Sequence, residues 1–424
     1  MRNDNIKFRD IFWNTIGTVT YAMISLLLSV VVIRMCGKIE GGIFSFGFST
    51  LAHLAYIVAY FGIRPMHIVD IRYRYSFSDY LKFSIKSSIV ALCAGTIYIL
   101  FMYGTGNYTL FKFLILLVLI MHGTLDGLSD CYESEYQRVN RLYMCGQSLF
   151  FRIIAFLIAL IVTLHLTNNL LLSEIVSLVV EIVFFYFFNI SRSKNIFKTA
   201  KLDGANDKSR NIMIEALPLF LITFLDMFIF TQAKFAIDIN LGDTYSGFYN
   251  LLFMPTNVIY LVMTLFMKPL LTPLSNAYHT DKAEYNKILF NTFLLSLAIA
   301  LIFIVGTILL GNIYLNLIGI VTNGEYIQIG TAIVYNSFKL EFIVLLTVII
   351  GGCFYTICTP MYFAIIIEDK QRYLLIIYGI IAVLSVYISR EFVVSSGIIG
   401  AAISFVVSMF LLFVGVIAVK ALTK

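Results

Sequence analysis

The amino-acid sequence predicts an all-α polytopic membrane protein, with about twelve transmembrane helices arranged in two halves. The 424 residues are 60% hydrophobic and only 13% charged, which is about half the charged fraction of a soluble globular chain. The apolar residues fall in runs of about 20, the length that a helix needs to cross a bilayer. A soluble protein of this composition would expose a largely apolar surface, so we expect the chain to be embedded in lipid.

The spanning segments follow from the apolar runs in chain order. In the first half they lie at about 12–36, 42–64, 82–103, 110–129, 147–166 and 171–190. In the second half they lie at about 212–237, 246–271, 288–311, 336–358, 373–389 and 397–419. The predicted organisation is therefore a six-helix half at 1–190, a basic linker at 191–211 and a second six-helix half at 212–424.

Basic residues are distributed unevenly between the loops on the two sides of the membrane. Most lie on the side of the N-terminus, and the linker alone carries six. Because cytoplasmic loops carry the excess of Lys and Arg, both termini are predicted to be cytoplasmic. We interpret the linker as a solvated connector and expect no nucleic-acid partner. The six cysteines form no Cys-x-x-Cys pair, so we interpret them as apolar residues and expect no metal or cofactor.

The two halves share a short pattern. Arg64-Pro65 and Lys268-Pro269 are each predicted to end the second helix of a half, and each of these helices follows a Gly-aromatic entry. Equal helix counts with the same orientation predict a parallel repeat about an axis along the membrane normal.

Polar side chains recur at helical spacing in four of these helices, although a helix that faces only lipid needs none. The stripes are Asn14, Thr18, Tyr21 and Ser25; Ser45, Ser49, His53, Tyr56, Tyr60 and Arg64; Glu215, Thr223, Asp226, Lys234 and Asp238; and Tyr249, Thr256, Tyr260, Thr264 and Lys268. Together they predict a central polar cleft. The alternative for a single Ser or Thr is helix packing, and for bases near helix ends (Arg34, Arg152 and Lys420) it is snorkelling to the interface.

The residue types in the stripes indicate a ligand that is both a glycan and an anion. Hydroxyl, amide and aromatic groups bind sugars, and Arg or Lys binds phosphate. A carboxylate in the middle of the membrane usually faces a wet cavity or a partner, which suggests ion coupling. The candidate substrate-binding residues are Arg64, Lys234, Lys268, Asn14, Tyr56, Tyr60 and Tyr260. The candidate ion-coupling residues are Asp226, Asp238 and Glu215.

Short motifs follow one another along the chain. They are Trp13-Asn14-Thr15-Ile16-Gly17, Phe61-Gly62-Ile63-Arg64, Asp70-Ile71, Tyr75-Ser76-Phe77-Ser78-Asp79-Tyr80, Gln137-Arg138, Leu217-Pro218, Lys234-Phe235-Ala236-Ile237-Asp238, Met254-Pro255, Lys268-Pro269 and Gly397-Ile398-Ile399-Gly400. In these motifs the chain resembles the bacterial polysaccharide repeat-unit flippases, the O-antigen and capsule exporters of the multidrug/oligosaccharidyl-lipid/polysaccharide exporter superfamily. It departs from that family's pattern at His67, Ala233 and Lys268, where Gln, Pro and Arg are usual.

The resemblance implies a function, a location and partners. The expected substrate is a polyprenyl-diphosphate-linked oligosaccharide, moved from the cytoplasmic to the outer leaflet of the bacterial plasma membrane by alternating access. A proton or sodium ion is the expected coupling ion, and a polysaccharide polymerase and assembly proteins are expected partners in cell-envelope biosynthesis.

Two other functions are weighed against this one. An ion-coupled drug exporter of the same superfamily fits twelve helices equally well. A membrane-embedded glycan polymerase or glycosyltransferase would need catalytic acids facing one aqueous side, and no phosphate-cradling loop or nucleophile motif appears. The acids Asp126, Asp130, Glu133 and Glu135 are interpreted as a solvated helix end. We therefore expect no enzymatic activity.

The predicted topology is testable by labelling. Cysteines introduced at Asn206 and at Asn168, in a background without the native cysteines, are expected to react from opposite sides of the membrane, because the two positions lie in loops of opposite basic content. The measurement is labelling of intact cells with a membrane-impermeant thiol reagent. Labelling of both positions from outside would show that the arrangement is wrong.

Overall fold

The structure, a computed structural model, describes residues 2–70, 74–194, 208–321 and 337–422. Every regular element in these ranges is helical, which confirms the predicted fold class. The helices are α1 (Arg2–Phe46), α2 (His53–Tyr60), α3 (Arg64–Val69), α4 (Phe77–Gly104), α5 (Leu110–Arg138), α6 (Leu142–Thr167), α7 (Leu170–Phe185), α8 (Arg192–Lys194), α9 (Ser209–Asn240), α10 (Asp243–Thr280), α11 (Lys282–Val321), α12 (Ser337–Ile367) and α13 (Gln371–Leu422). Two π-helical segments, Gly47–Ala52 and Tyr186–Ser191, continue α1 into α2 and α7 into α8.

Ten helical stretches of the described chain are long and apolar enough to cross a membrane. Two of them, Arg9–Tyr60 and Gln371–Leu422, are 52 residues long, which is about 78 Å at the rise of an α-helix. A bilayer core is only about 30 Å thick. Each contains a glycine in the left-handed half of backbone space, Gly37 (φ 80°) and Gly397 (φ 58°), which glycine adopts without steric cost. Division at these two glycines turns the ten stretches into twelve segments.

The second and eighth predicted helices end elsewhere than expected. α2 ends at Tyr60, because the next two residues are left-handed (φ 52° and 66°). Arg64 begins the separate helix α3, with Pro65 in the first turn, where its missing N–H breaks no helical hydrogen bond. Lys268-Pro269 lies inside α10. The prediction that a base–proline pair ends both helices was therefore wrong, and the parallel repeat stays a prediction.

Unit 1, one of two compact units, comprises Met1–Cys36 and Ile43–Phe224. Within it α4 packs on α5, α6 packs on α7, and α5 also contacts α2, α3 and α7. α1 approaches α6 closely at Gly17, where a Cβ atom would lie 2.4 Å from the carbonyl oxygen of Gly146. α4 begins with a capping box in which Ser76 and Asp79 each accept a hydrogen bond from the other's backbone N–H. Two of the sequence motifs thus have structural explanations.

Unit 2 comprises Gly37–Gly42 and Leu225–Lys424. Its main contacts join α12 to α10, α11 and α13. Phe230, Phe253 and Phe405 pack edge to face in its interior, with ring centroids 4.8–5.3 Å apart. The predicted linker at 191–211 lies mostly outside the described residues.

Glu368, in the turn between α12 and α13, ties three helices of unit 2 together. Tyr285 of α11 donates a hydrogen bond to its Oε1 at 2.7 Å, and Lys420 of α13 donates to the same atom. Lys370 donates to Oε2 at 3.2 Å. Burial would raise the pKa of Glu368, but the hydrogen bonds from Lys420 and Tyr285 outweigh it and the pKa lies below its ordinary value. Lys420 binds this carboxylate, so its interpretation as a snorkelling residue was wrong.

Candidate functional site

A row of ionisable side chains runs along α5 in the interior of unit 1. His122, Asp126, Asp130 and Glu133 follow one another at steps of four, four and three residues, so they share one face of the helix. The side chains of Asp130 and Glu133 are only 7% and 5% exposed, and Glu135 is also buried. The interpretation of these acids as a solvated helix end was therefore wrong. Buried charges in a low-dielectric interior need partners.

Arg152 of α6 is the main partner of this row. Its Nη2 donates a hydrogen bond to Asp126 Oδ1 at 2.7 Å, while Nη1 lies 3.7 Å from Glu133 Oε1 and Nε lies 3.4 Å from Glu181 Oε1. The Arg152 side chain is 5% exposed. One buried guanidinium thus compensates three carboxylates on two helices, and the interpretation of Arg152 as a snorkelling residue was wrong.

Arg64 of α3 contacts the row at Asp130 and Glu133, the two acids of the row nearest the end of α5. Its guanidinium donates hydrogen bonds to Asp130, to Gln137 Oε1 at 3.1 Å and to Cys145 Sγ at 3.5 Å, and Glu133 lies 4.0 Å away. These bonds use three of the five N–H donors of a guanidinium, and 26% of the side chain is exposed. Unit 1 therefore holds Arg64 in a fixed position and leaves part of it accessible.

Two of the predicted tyrosines lie beside Arg64 in unit 1. The rings of Tyr56 and Tyr60 stack at 5.5 Å with an interplanar angle of 11°, and Tyr56 lies within electrostatic range of Arg64. Asn14 is half-buried on α1, next to the close approach of α1 and α6. Among the described contacts, none joins Asn14 to Arg64. The structure therefore brings together three of the candidate residues of unit 1.

A second buried cluster lies where α3 and α4 pack on α5. His67 is buried, stacks on Tyr80 at 3.9 Å and lies 2.7 Å from Glu135 Oε2 through Nε2. Arg138 also contacts Glu135 at 2.7 Å, and Asp70 accepts hydrogen bonds from the backbone that follows it. Burial lowers the pKa of His67. These contacts connect the motif residues Asp70, Tyr80 and Arg138 to one buried network.

Glu215, a candidate ion-coupling residue, lies on the part of α9 that belongs to unit 1. Its Oε1 accepts hydrogen bonds from Arg74 at 2.5 Å and from the Tyr75 hydroxyl at 2.9 Å. The side chains of Arg74 and Glu215 are 67% and 33% exposed. An ion pair this exposed usually contributes little free energy.

In unit 2 the candidates gather around Asp226. Tyr355 of α12 donates a hydrogen bond to Asp226 Oδ2 at 2.5 Å, and the ring of Tyr260 lies 5.6 Å from that of Tyr355. Tyr378 of α13 also lies near the carboxylate. Tyr355, which is not among the predicted candidates, thus contacts both Asp226 and Tyr260. The described partners of Asp226 are phenol groups rather than a base.

Two further candidates lie along α9 in unit 2. Lys234 is 3% exposed, with Nζ 4.5 Å from the ring centroid of Phe253. Asp238 is 4% exposed. The side chain of Lys268 lies outside the described part of the chain. The proposed roles of all three stay predictions.

The comparisons with known proteins bear on the fold. No protein-family model matches the chain, and no curated protein does. Among solved structures, an inward-facing multidrug resistance MATE family transporter of the MOP superfamily matches with a TM-score of 0.71 at 12% identity, over 98% of this chain and 99% of its own. Lipid II flippase MurJ, in an inward closed conformation, matches with a TM-score of 0.68 at 14% identity, over 97% of this chain and 87% of its own. The chain has the MATE and MurJ fold. VcmN, a MATE transporter of Vibrio cholerae, matches with a TM-score of 0.61 at 11% identity, over 99% of this chain and 96% of its own.

The row on α5 was missed among the candidate residues, although the sequence carries part of its signal. Acids recur every three or four residues in an otherwise apolar helix, which is the same pattern that identified the other stripes. The bases that compensate the row lie on α3 and α6, and no spacing along the chain connects them to it. Only the packing of these helices shows that Arg64 and Arg152 belong to one network.

Replacement of Arg152 by Met is expected to destabilise the protein by about 3–5 kcal/mol, because it leaves buried carboxylates without their shared cation. The measurement is thermal unfolding of purified protein in detergent. Arg34→Met is the matched control, since Arg34 is exposed and its loss should cost little. Equal effects of the two substitutions would contradict the assigned role of Arg152.

Proposed function

We propose that this protein is a flippase that moves a polyprenyl-diphosphate-linked oligosaccharide from the cytoplasmic to the outer leaflet of the bacterial plasma membrane. It would act by alternating access and serve the biosynthesis of a surface polysaccharide such as O-antigen or capsule. The observation that carries the proposal is the accessible Arg64 guanidinium beside two stacked tyrosines, in a chain whose fold is shared with a lipid II flippase.

The chemistry of such a substrate matches the candidate residues. A glycan and a diphosphate cannot cross hydrocarbon unaided, because each unsatisfied polar group costs several kcal/mol. A guanidinium binds phosphate oxygens through paired N–H donors, and tyrosines present both an apolar face and a hydroxyl group to a sugar. We assign Arg64, Lys234 and Lys268 to the diphosphate. Asn14, Tyr56, Tyr60 and Tyr260 are assigned to the sugars, while the lipid tail stays in the membrane.

The position of Arg64 implies competition between two anions. Asp130 already accepts a hydrogen bond from this guanidinium, so an incoming phosphate must share or replace that contact. A diphosphate carries more negative charge and more acceptor oxygens than one carboxylate. The ion pair therefore holds Arg64 in place while no substrate is bound, and lowers its affinity for weaker anions.

Asp226 is proposed as the coupling carboxylate, because lipid scrambling alone only equilibrates the two leaflets. Desolvation penalises the charged form of a buried carboxyl group, and the described partners of Asp226 are tyrosine hydroxyls. A proton or a sodium ion could neutralise the carboxylate there. Asp238 and Glu215 remain candidates for the same role, and Glu215 is already paired with Arg74.

A drug exporter is the second candidate function, because the matched structures include MATE transporters. Unit 2 also contains an apolar cavity of about 310 Å³ lined by Pro255, Phe303 and Tyr314 among others, which suits an apolar drug as well as a lipid. Reconstitution in vesicles separates the two functions. Translocation of a fluorescent lipid-linked oligosaccharide without transport of a cationic drug supports the flippase, and the reverse result supports the exporter. We propose that the protein acts as a transporter and not as an enzyme.

Replacement of Arg64 by Gln is expected to abolish oligosaccharide translocation, because the substitution removes the paired phosphate donors. It also leaves Asp130 without its cation, so the double variant Arg64→Gln, Asp130→Asn is tested beside it. The double variant removes both charges and should recover the thermal stability of the parent without recovering translocation. Translocation at the parent's rate by the double variant would exclude Arg64 from substrate binding.

Asp226→Asn is expected to lose the response of transport to an imposed pH gradient, because Asn keeps the size and hydrogen bonding of Asp but does not titrate. The measurement is transport in vesicles with and without the gradient. Tyr355→Phe is the control variant, since it removes the hydrogen bond to Asp226 and keeps the carboxyl group. An unchanged gradient response in Asp226→Asn would make Asp226 a structural residue.

A further inference from the structure

Two carboxylates of α7 face one histidine of α5 inside unit 1. His122 Nδ1 lies 2.5 Å from Glu181 Oε2, and His122 Nε2 lies 3.6 Å from Glu174 Oε2. Glu174 is fully buried, and the side chains of His122 and Glu181 are 6% and 7% exposed. The ring of Phe156 packs edge-on against the imidazole with centroids 4.9 Å apart. These groups are therefore removed from bulk water.

Glu174 is the member of this group that the contacts leave unsatisfied. Within the described part of the chain, neither of its carboxylate oxygens has a hydrogen-bond partner, and neither has the Nε2 atom of His122 that faces it. A buried ionised carboxylate without a hydrogen bond is costly. The geometry is thus incomplete at the point where Glu174 and His122 meet.

One added proton lets His122 Nε2 and Glu174 Oε2, which lie 3.6 Å apart, form a hydrogen bond once they move slightly closer. A neutral imidazole has a single N–H donor, whereas an imidazolium donates at both nitrogens. With the proton on His122, the ring donates to Glu181 at one nitrogen and to Glu174 at the other. With the proton on Glu174, its O–H donates to Nε2 while Nδ1–H still donates to Glu181. Both arrangements hold the same number of protons, and removal of that proton leaves two acceptors facing each other.

The charged groups around the site favour an added positive charge. Arg152 of α6 contacts Glu181 and Asp126, and the Tyr21 hydroxyl of α1 donates to Asp126 Oδ2 at 3.2 Å. Glu181 and Asp126 thus share a single guanidinium, which also faces Glu133, and among the described ion pairs Glu174 faces only His122. The carboxylates outnumber the cations, so a bound proton reduces the net negative charge of the cluster.

We propose that His122 and Glu174 form a buried proton-binding site in unit 1, with Glu181 orienting the imidazole. The site takes up one proton, which lies between His122 Nε2 and Glu174 Oε2, and releases it to water when the cluster becomes accessible. Proton binding is a property of the chain itself and does not depend on the proposed substrate. In a transporter, this site would supply a coupling group separate from Asp226.

The test is a pH titration of the purified protein in lipid vesicles, followed by infrared difference spectroscopy, which separates the C=O stretch of a protonated carboxyl group from the bands of carboxylates. The parent protein is expected to show a protonated-carboxyl component that titrates and that Glu174→Gln lacks. In His122→Gln the component should remain with its midpoint moved by more than about one pH unit, as expected for two coupled groups. Glu284→Gln is the control, because Glu284 is exposed, and it should leave the component unchanged.

Three outcomes would overturn the proposal. The first is an identical titration in the parent protein and in Glu174→Gln. The second is a component that responds to added sodium at constant pH rather than to pH, which would make the cluster a sodium site. The third is a titration midpoint of the protonated-carboxyl component that is the same in His122→Gln as in the parent protein. If Glu174→Gln does not fold, the His122→Gln measurement decides the question alone.

Discussion

Charge compensation inside an apolar interior is the constraint on which unit 1 depends. Arg152 contacts carboxylates of α5 and α7 from its place on α6, so three helices meet at one guanidinium. The desolvation cost of buried charges can equal or exceed their attraction, and each such group is tolerated only while its partners remain. The relative positions of these helices are therefore fixed by a small number of polar atoms as well as by packing.

Polar contacts matter more here than in a soluble protein. Lipid tails are as apolar as leucine side chains, so the hydrophobic effect contributes little to the association of spanning helices. Close approach of small residues and hydrogen bonds between helices take its place. Unit 1 uses both, with Gly17 against Gly146 where α1 meets α6, and with Arg64 joining α3 to α5. Unit 2 uses Tyr355 to join α12 to α9.

The sequence predicts those features that depend on local composition. Apolar runs gave the spanning segments, because the bilayer thickness sets their length directly. Helix ends were less predictable, since Arg64-Pro65 and Lys268-Pro269 look alike in the sequence and differ in the structure. In the candidate site, Asp226 was selected from its depth in an apolar helix, and its role stays a prediction. Its partner Tyr355, and the role of Arg152, depend on contacts between helices distant in the chain, which a single sequence does not record.

The tie at Glu368 has a consequence for how the protein can be modified. Lys420 lies near the end of α13 and, with Lys370, supplies a cation for the Glu368 carboxylate between α12 and α13. Because the pKa of Glu368 is lowered, the stabilisation is complete above the ordinary pKa of a glutamate and is lost only as the pH falls through the lowered value. A truncation that removes Lys420 would leave Lys370 as the described cation at this carboxylate and would remove the link to the end of α13. Fluorescent or affinity tags should therefore be fused beyond Leu422, where they extend the chain and leave the tie intact.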